Sequence, residues 1–258
     1  MKNLSVLLMI FLAVFFSSCE EVIDLQLRDA EPVLMIEGTV SNLKEWQEIN
    51  LSQTVPFDSE LRRMPVSGAQ VFLREGYEPW KELREIEDGR YIINNFKGRP
   101  GLEYSMRVEY DDETYESSSK MPEVVRVDST GVSVMTFDET RRTPLVLFQD
   151  PPTEKNYYYF EVEVNGDVVP SLFLYNDKFN NGKYVTINLD DFELNLNPLD
   201  SVVIELRNID EGSYNFWRGV QSQTGTSASP GNPPSNISNG ALGYFSAYAA
   251  NSVYFIME

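Results

Sequence analysis

The segment from Tyr157 to Val164, YYYFEVEV, alternates between two sets of side chains with a period of two residues. One set is Tyr158, Phe160, Val162 and Val164, and the other is Tyr157, Tyr159, Glu161 and Glu163. Because a β-strand presents successive side chains on opposite faces, this pattern predicts a strand with one apolar face. Short candidates of the same kind recur along the chain with a turn signal about every eight to twelve residues, which is typical of antiparallel β-sandwiches.

We therefore predict an all-β fold of two antiparallel β-sandwich domains, immunoglobulin-like or transthyretin-like. The N-terminal sandwich is assigned to residues 33–123 and the C-terminal sandwich to residues 124–258, because Met121-Pro122 closes the first run of strand candidates. Turns are predicted where Asp88-Gly89 and Asn165-Gly166 separate strand candidates, since these dipeptides favour tight hairpins.

The pattern changes near the C-terminus. Tyr214, Trp217 and Val220 recur every three residues after Ser213, which is a candidate N-cap, and predict one short helix near 213–223. A Gly/Ser/Pro loop at 224–235 separates it from two strand candidates, 242–249 and 252–257. Gly240 and Gly243, in or beside the first of these strands, predict a bulge or a close approach of two backbones.

The N-terminus has the layout of a secretory signal peptide: Lys2, an apolar run of 11 residues from Val6 to Phe16, and then small residues before Cys19. As a helix this run extends only about 16 Å, at ~1.5 Å per residue, which is too short for a membrane span of about 20 residues. Phe16-Ser17-Ser18-Cys19 resembles a bacterial lipobox. It predicts a signal peptide at 1–18, a lipid anchor on Cys19 and an acidic tether at 19–32; an ordinary signal peptide is the alternative.

Composition excludes several chemistries. The chain has no His and its single Cys is Cys19, so Ser-His-Asp and Cys-His nucleophiles and His-ligated metals are excluded. Lys2 is the only charge in the predicted signal peptide, so the mature side chains sum to 20 basic (21 minus 1) against 40 acidic, or −20. That charge repels nucleic acid and anionic membrane surfaces. A carboxylate pair for glycoside hydrolysis is disfavoured, because nothing in the sequence places two acids at the required distance.

Three polar segments are candidate Ca²⁺ ligands, because carboxylate and amide oxygens suit that ion. They are Asp111-Asp112-Glu113, Asp190-Asp191 and Asn176-Asp177 with Asn180-Asn181-Gly182. None matches an EF-hand loop, and Asp and Asn are ordinary turn residues. We therefore predict no catalytic, cofactor-binding or metal residues, with Ca²⁺ as the one alternative.

Four aromatic residues, Tyr157, Tyr159, Trp46 and Trp80, are candidates for stacking on sugar rings or anchoring a protein partner. The alternative is that they occupy sheet faces for their β-propensity alone. Asn236-Ile237-Ser238 matches an N-glycosylation acceptor, which we attribute to chance.

Several segments in order resemble a family of Bacteroidota lipoproteins whose shared domain has no assigned function. They are Cys19 to Asp24, Val33 to Gly38, Pro65 to Ala69, Met121-Pro122, Phe148 to Tyr158 and Pro233 to Phe245. The resemblance implies an outer-membrane lipoprotein, often encoded beside TonB-dependent receptors, and assigns no catalytic residues. Acidic residues after the lipidated Cys resemble a surface-export signal of that phylum. Glu20, Glu21 and Asp24 fit it in charge, although Val22-Ile23 interrupts them.

From these observations we expect a non-catalytic outer-membrane lipoprotein, on the cell surface or in the periplasm, that partners a TonB-dependent receptor in nutrient uptake. A surface glycan-binding or adhesion module is the alternative, and a hydrolase is less favoured.

The lipid anchor gives the first prediction. Cys19→Ala removes the only thiol that can carry the thioether-linked lipid, so the variant should lose labelled palmitate and leave its native membrane. One acyl chain binds a membrane only marginally, whereas two or three hold effectively permanently. Incorporation of labelled palmitate into the variant would show that the anchor assignment is wrong.

Overall fold

Residues 31–55, 59, 63–135, 138–191, 194–223 and 231–257 are described by the computed structural model. The predicted signal peptide, Cys19 and most of the tether lie outside these residues. The described strands are β1 (Leu34–Ser41), β2 (Trp46–Gln53), β3 (Met64–Pro65), β4 (Gln70–Glu75), β5 (Lys81–Glu82), β6 (Arg84–Glu87), β7 (Arg90–Asn94), β8 (Glu103–Tyr110), β9 (Glu113–Lys120), β10 (Ser129–Met135), β11 (Asp138–Gln149), β12 (Tyr157–Val164), β13 (Asp167–Val168), β14 (Phe173–Asn176), β15 (Tyr184–Asn188), β16 (Ser201–Ile209) and β17 (Leu242–Ile256), and the described helix is α1 (Glu211–Gln223).

The strands form one large sheet and two small ones. The large sheet has ten strands in the order β13-β12-β16-β17-β1-β2-β7-β6, with β14 also paired to β12 and β3 to β2. A four-stranded sheet has the order β5-β4-β8-β9, and a three-stranded sheet has the order β10-β11-β15. The ten-stranded sheet therefore draws strands from both halves of the chain.

The first and last described strands meet at the centre of the large sheet. β1 pairs with β17 in parallel, from Met35 opposite Leu242 to Ser41 opposite Tyr248. The other pairs are antiparallel, as predicted, so this one pair differs from the expectation. A parallel pair needs a long connection, and here nearly the whole chain supplies it.

Gly243 permits the close approach of these two backbones. Its φ is +94°, and a Cβ at this position would lie 2.0 Å from the carbonyl oxygen of Ile36. The prediction of a bulge or a close approach at Gly240 and Gly243 is therefore confirmed as a close approach at Gly243, whereas nothing lies within 4 Å of a Cβ at Gly240. The predicted separate strands 242–249 and 252–257 are instead one continuous strand, β17.

Two hydrophobic cores lie against one face of the ten-stranded sheet. The first is shared with the four-stranded sheet and contains Ile36, Leu51, Met106, Phe245 and Ala247. The second is shared with the three-stranded sheet and contains Phe148, Phe160, Ile204, Leu206 and Met257. Successive odd-numbered side chains of β17 enter the first core and then pack against the second, so this strand supports both.

The predicted all-β, sandwich-like fold is confirmed. Met121 belongs to the first core and Val125 to the second, so the change of core lies near the predicted boundary. However, five residues from the C-terminal part of the chain also belong to the first core: Ile237, Ala241, Phe245, Ala247 and Ala249. Residues 32–258 cluster as one compact unit. The division into domains 33–123 and 124–258 stays a prediction.

The predicted short helix is present as α1, and it begins two residues earlier than expected. Its N-cap is Asp210, whose Oδ1 accepts a 2.7 Å hydrogen bond from the Ser213 backbone N–H. Ser213, the predicted N-cap, lies inside the first turn, and its buried hydroxyl has no hydrogen-bond partner. Asp210 also accepts a hydrogen bond from the Ser119 hydroxyl of β9, so one carboxylate caps the helix and links it to the four-stranded sheet.

No helix of the described residues is both long and apolar enough to cross a bilayer.

Residues 236–239 cover the edge of β9. Ser238 and Glu116 exchange hydrogen bonds, with Glu116 N donating to Ser238 Oγ at 2.7 Å and Ser238 N donating to Glu116 O at 2.9 Å. The Asn236 amide is bound on both sides to the Phe245 backbone, at 2.7 and 2.9 Å. The Asn236-Ile237-Ser238 motif therefore has a structural use in protecting a sheet edge.

The Gly243 contact gives a stability prediction. Gly243→Ala should lower the free energy of unfolding by more than about 3 kcal/mol, because a strained φ is combined with a clash against backbone. Gly240→Ala is the control: φ is +73° there, but nothing lies within 4 Å of the added Cβ, so about 1 kcal/mol is expected. Urea unfolding measures both values, and equal losses would contradict the proposed role of the close approach.

Candidate functional site

The face of the ten-stranded sheet opposite the two cores carries the polar and aromatic side chains of interest, and we call it the outer face. It is formed by alternate residues of β2, β1, β17, β16 and β12. Helix α1 packs on its middle, over a small cluster that includes Tyr214, Tyr248, Ala250 and Ile209. The outer face is therefore partly covered by the helix and partly open.

Arg207 is a partly buried cation on the outer face, with a side chain that is 19% exposed. Its guanidinium lies 2.6 Å from carboxylate oxygens of both Glu161 and Glu205. It also lies 5.4 Å from the ring centroid of Tyr159 and 5.0 Å from that of Tyr248. Burial alone would lower the pKa of Arg207, but Tyr248, Glu205 and Glu161 together raise it above its ordinary value, so the cation is permanent.

Aromatic rings from α1 stack on rings of the sheet. Trp217 stacks on Tyr159 with centroids 5.5 Å apart, and Phe216 stacks on Tyr244 at 4.7 Å. Tyr214 packs on Tyr157 at 4.9 Å. Burial, together with the Glu211 carboxylate, raises the pKa of Tyr157 to about 12. These contacts fix α1 on the sheet through its apolar face.

Beside the helix the outer face opens into a groove of about 430 Å³, which we call the polar groove. Its lining includes Glu37, Trp46, Glu48, Asn50, Arg63 and Tyr244. Tyr244 joins the groove to the helix, because Phe216 and Trp217 pack on its ring. Burial raises the pKa of the Tyr244 phenol, so it stays a neutral group.

Ion pairs and hydrogen bonds hold the carboxylates of the polar groove in place. Glu37 pairs with Arg63 at 2.6 Å. Glu48 pairs with Arg90 at 2.8 Å and accepts a 2.8 Å hydrogen bond from Asn50. Burial would raise the pKa of Glu48, but the hydrogen bonds from Arg90 and Asn50 lower it below the ordinary value. The Glu48 carboxylate is therefore an ionised hydrogen-bond acceptor that is held in a fixed position.

The four candidate aromatic residues lie in different environments. Tyr157 and Tyr159 lie on the predicted side of β12, but α1 covers them, so they are not an exposed stacking surface. The guanidinium groups of Arg74 and Arg107 each lie 4.5 Å from the ring centroid of Trp80. Trp46, 37% exposed, is the one of the four that lines the polar groove.

The three candidate calcium segments do not come together. Asp111 and Asp112 form the β8–β9 turn with φ values of 53° and 59°. Asp190 pairs with Arg141 at 2.7 Å, and Asp177 accepts a 3.0 Å hydrogen bond from the Asn156 backbone. Within the described ranges no three acidic side chains are grouped so as to hold a metal ion.

Several residues of the outer face were missed by the sequence analysis. Arg207 stands in a strand candidate with Glu205 two residues before it, a spacing that places both on one face of a strand. Glu161 lies opposite Glu205 in the β12–β16 pair, and this register could not be predicted from the sequence alone. Nothing local in the sequence brings Arg63 beside Glu37, because that contact depends on the return of the chain after β2.

The fold and the groove define an all-β, sandwich-like protein with a polar groove on the outer face of its large sheet. The sequence matches the family model described as "Domain of unknown function (DUF4249)" over residues 20–253, so the chain belongs to that family. The comparison with curated proteins gives no match.

The chain is also similar to solved structures at low sequence identity, including the following three. The FN1–FN3 domains of chicken CNTN1 are 14% identical with a TM-score of 0.29, and the match covers 86% of this chain and 66% of that one, just under two thirds. A cytokine receptor complex is 6% identical with a TM-score of 0.29, covering 84% and 94%. A segment of two fibronectin type III domains from chicken tenascin is 9% identical with a TM-score of 0.23, covering 88% and 98%. At these TM-scores the likeness carries no inference about function.

Arg207 gives a second stability prediction. Arg207→Met should lower the free energy of unfolding by about 3 kcal/mol, because it leaves Glu161 and Glu205 without their cation in a partly buried site. Arg63→Met is the matched control, since the Arg63–Glu37 pair is more exposed and should contribute less than about 1 kcal/mol. Thermal or urea unfolding that shows equal effects would contradict a central role for Arg207.

Proposed function

We propose that this chain is a non-catalytic, lipid-anchored outer-membrane protein that binds a TonB-dependent receptor. The observation that carries the proposal is the Phe16-Ser17-Ser18-Cys19 sequence, which resembles a lipobox and stands before an otherwise Cys-free chain. Residues 32–258 would then be held at the membrane by the lipid on Cys19. The resemblance to lipoproteins encoded beside such receptors supplies the partner, in a role in nutrient uptake.

The structure supports a binding role through the chemistry of its outer face. Arg207 and its two glutamates are engaged in ion pairs there, and so are held in fixed positions. At the far end of the same face, Tyr254 is 64% exposed and Ile256 is 44% exposed. Exposed aromatic and aliphatic side chains beside polar groups are typical of protein interfaces. We propose this end of β17 as the receptor contact.

Affinity purification tests the receptor proposal. Tagged full-length protein, cross-linked and recovered from solubilised envelopes, should carry a TonB-dependent receptor with it. Tyr254→Glu combined with Ile256→Glu should reduce that recovery, because it places two charges in the proposed interface. Tyr77→Glu is the control, since Tyr77 is fully exposed in a turn far along the sequence. If no outer-membrane receptor is recovered with the unaltered protein, the proposal fails.

The second candidate function, glycan binding at the cell surface, is favoured by one specific observation. Trp46 lines the polar groove with part of its ring exposed. Tyr157 and Tyr159 lie beneath α1 and do not serve this function.

A further inference from the structure

The polar groove has the size of a ligand site and an unusual lining. Its volume of about 430 Å³ lies in the range of about 300–1,000 Å³ that is typical of small-molecule sites. Most such sites are largely apolar, whereas this one is lined mainly by carboxylate, guanidinium, amide and hydroxyl groups. The lining therefore suits a ligand with many hydrogen-bonding groups.

The charged side chains of the groove disfavour an anionic ligand. Among the described residues, those that line the groove are Glu37, Glu48 and Asp88 on the acidic side and Lys44 and Arg63 on the basic side. They carry no excess of positive charge, and the chain as a whole has a net charge of −19, so an anion would be repelled. Glu37 is paired with Arg63, and Glu48 with Arg90, which lies outside the lining. Because these two carboxylates already have cationic partners, a neutral ligand is favoured over a cation.

Trp46 supplies an aromatic surface beside these polar groups. It belongs to the outward-facing set of β2 with Glu48 and Asn50, so the three side chains follow one another along one face of the strand. The Lys44 ammonium lies 4.9 Å from the Trp46 ring centroid. A sugar ring has a C–H face that gains from leaving water against an aromatic ring, and a rim of hydroxyls that both donate and accept hydrogen bonds.

The polar side chains are positioned before any ligand arrives. Asn50 is oriented by its hydrogen bond to Glu48, and Glu48 by Arg90. Tyr244, at the helix side of the groove, is held by stacking against Phe216. Groups fixed in this way lose little conformational entropy on binding, which compensates for the open shape of the groove.

We infer that the polar groove binds an uncharged oligosaccharide, which stacks on Trp46 and is hydrogen-bonded by Glu48 and Asn50. The inference rests on the second candidate function, glycan binding, and specifies its ligand class and its site. It is independent of the receptor proposal, which concerns the other end of the outer face.

The test uses full-length protein solubilised in a detergent without a sugar headgroup. An array of neutral and anionic glycans identifies binders, and titration calorimetry then compares a neutral hexasaccharide from the array with hexagalacturonate. We expect binding of the neutral glycan that changes little between low and high salt, because an uncharged ligand is not screened. Trp46→Ala should weaken it at least about tenfold, which is about 1.4 kcal/mol. Tyr77→Ala, an exposed aromatic outside the groove, should leave the affinity unchanged.

The contribution of the polar side chains to glycan affinity is measured with Asn50→Ala. This variant should bind the neutral glycan severalfold more weakly, while its unfolding transition stays that of the unaltered protein. Neutral-glycan binding that survives Trp46→Ala would overturn the groove as the site while leaving glycan binding itself in place. Tighter, salt-dependent binding of hexagalacturonate would overturn the neutral ligand class. Absence of binding to every glycan on the array, by protein with an intact unfolding transition, would overturn both this inference and the second candidate function.

Discussion

The parallel pairing of β1 with β17 is the interaction on which the rest of the structure depends. It joins strands from the two ends of the described chain and makes a single ten-stranded sheet from what would otherwise be two smaller ones. The pairing requires the backbones to approach closely at Gly243, where a side chain would meet the Ile36 carbonyl. Both hydrophobic cores then form on one face of the same sheet, because β17 contributes side chains to the first and packs against the second.

The shared sheet also explains why the outer face has distinct regions. Helix α1 is attached at its N-terminus through Asp210, which links it to Ser119 of the four-stranded sheet. Its aromatic residues cover Tyr157 and Tyr159 and stop at Tyr244, so the polar groove begins where the helix ends its contact with the sheet. Arg207 lies on the same face of the sheet. The carboxylates of Glu161 and Glu205 and the rings of Tyr159 and Tyr248 offset the cost of partly burying its charge.

Most individual elements were predictable, and the candidate site was only partly so. The alternation of Tyr157 to Val164 and the Asp88-Gly89 and Asn165-Gly166 turns correspond to strands and hairpins in the structure. Tyr157 and Tyr159 were assigned to the correct face of β12 but not to the correct environment, because period-two alternation says nothing about a helix packing on the second face. Trp46 was predicted as a candidate binding residue. Arg63 and Tyr244, which line the same groove, were not predicted, because they come from other parts of the chain.

Side-chain periodicity and local backbone preferences were enough to predict the strand-rich fold class and a short helix near the C-terminus. They also predicted that Gly240 and Gly243 mark a bulge or a close backbone approach, and the structure has the close approach at Gly243. Only tertiary contacts bring β17 back to pair with β1, place the helix over two of the four candidate aromatic residues, and put the paired carboxylates of Glu37 and Glu48 in the groove beside Trp46. Those features depend on contacts between residues far apart in the chain. Local patterns do not encode which distant strand edges meet, since many pairings satisfy the same hydrogen bonds.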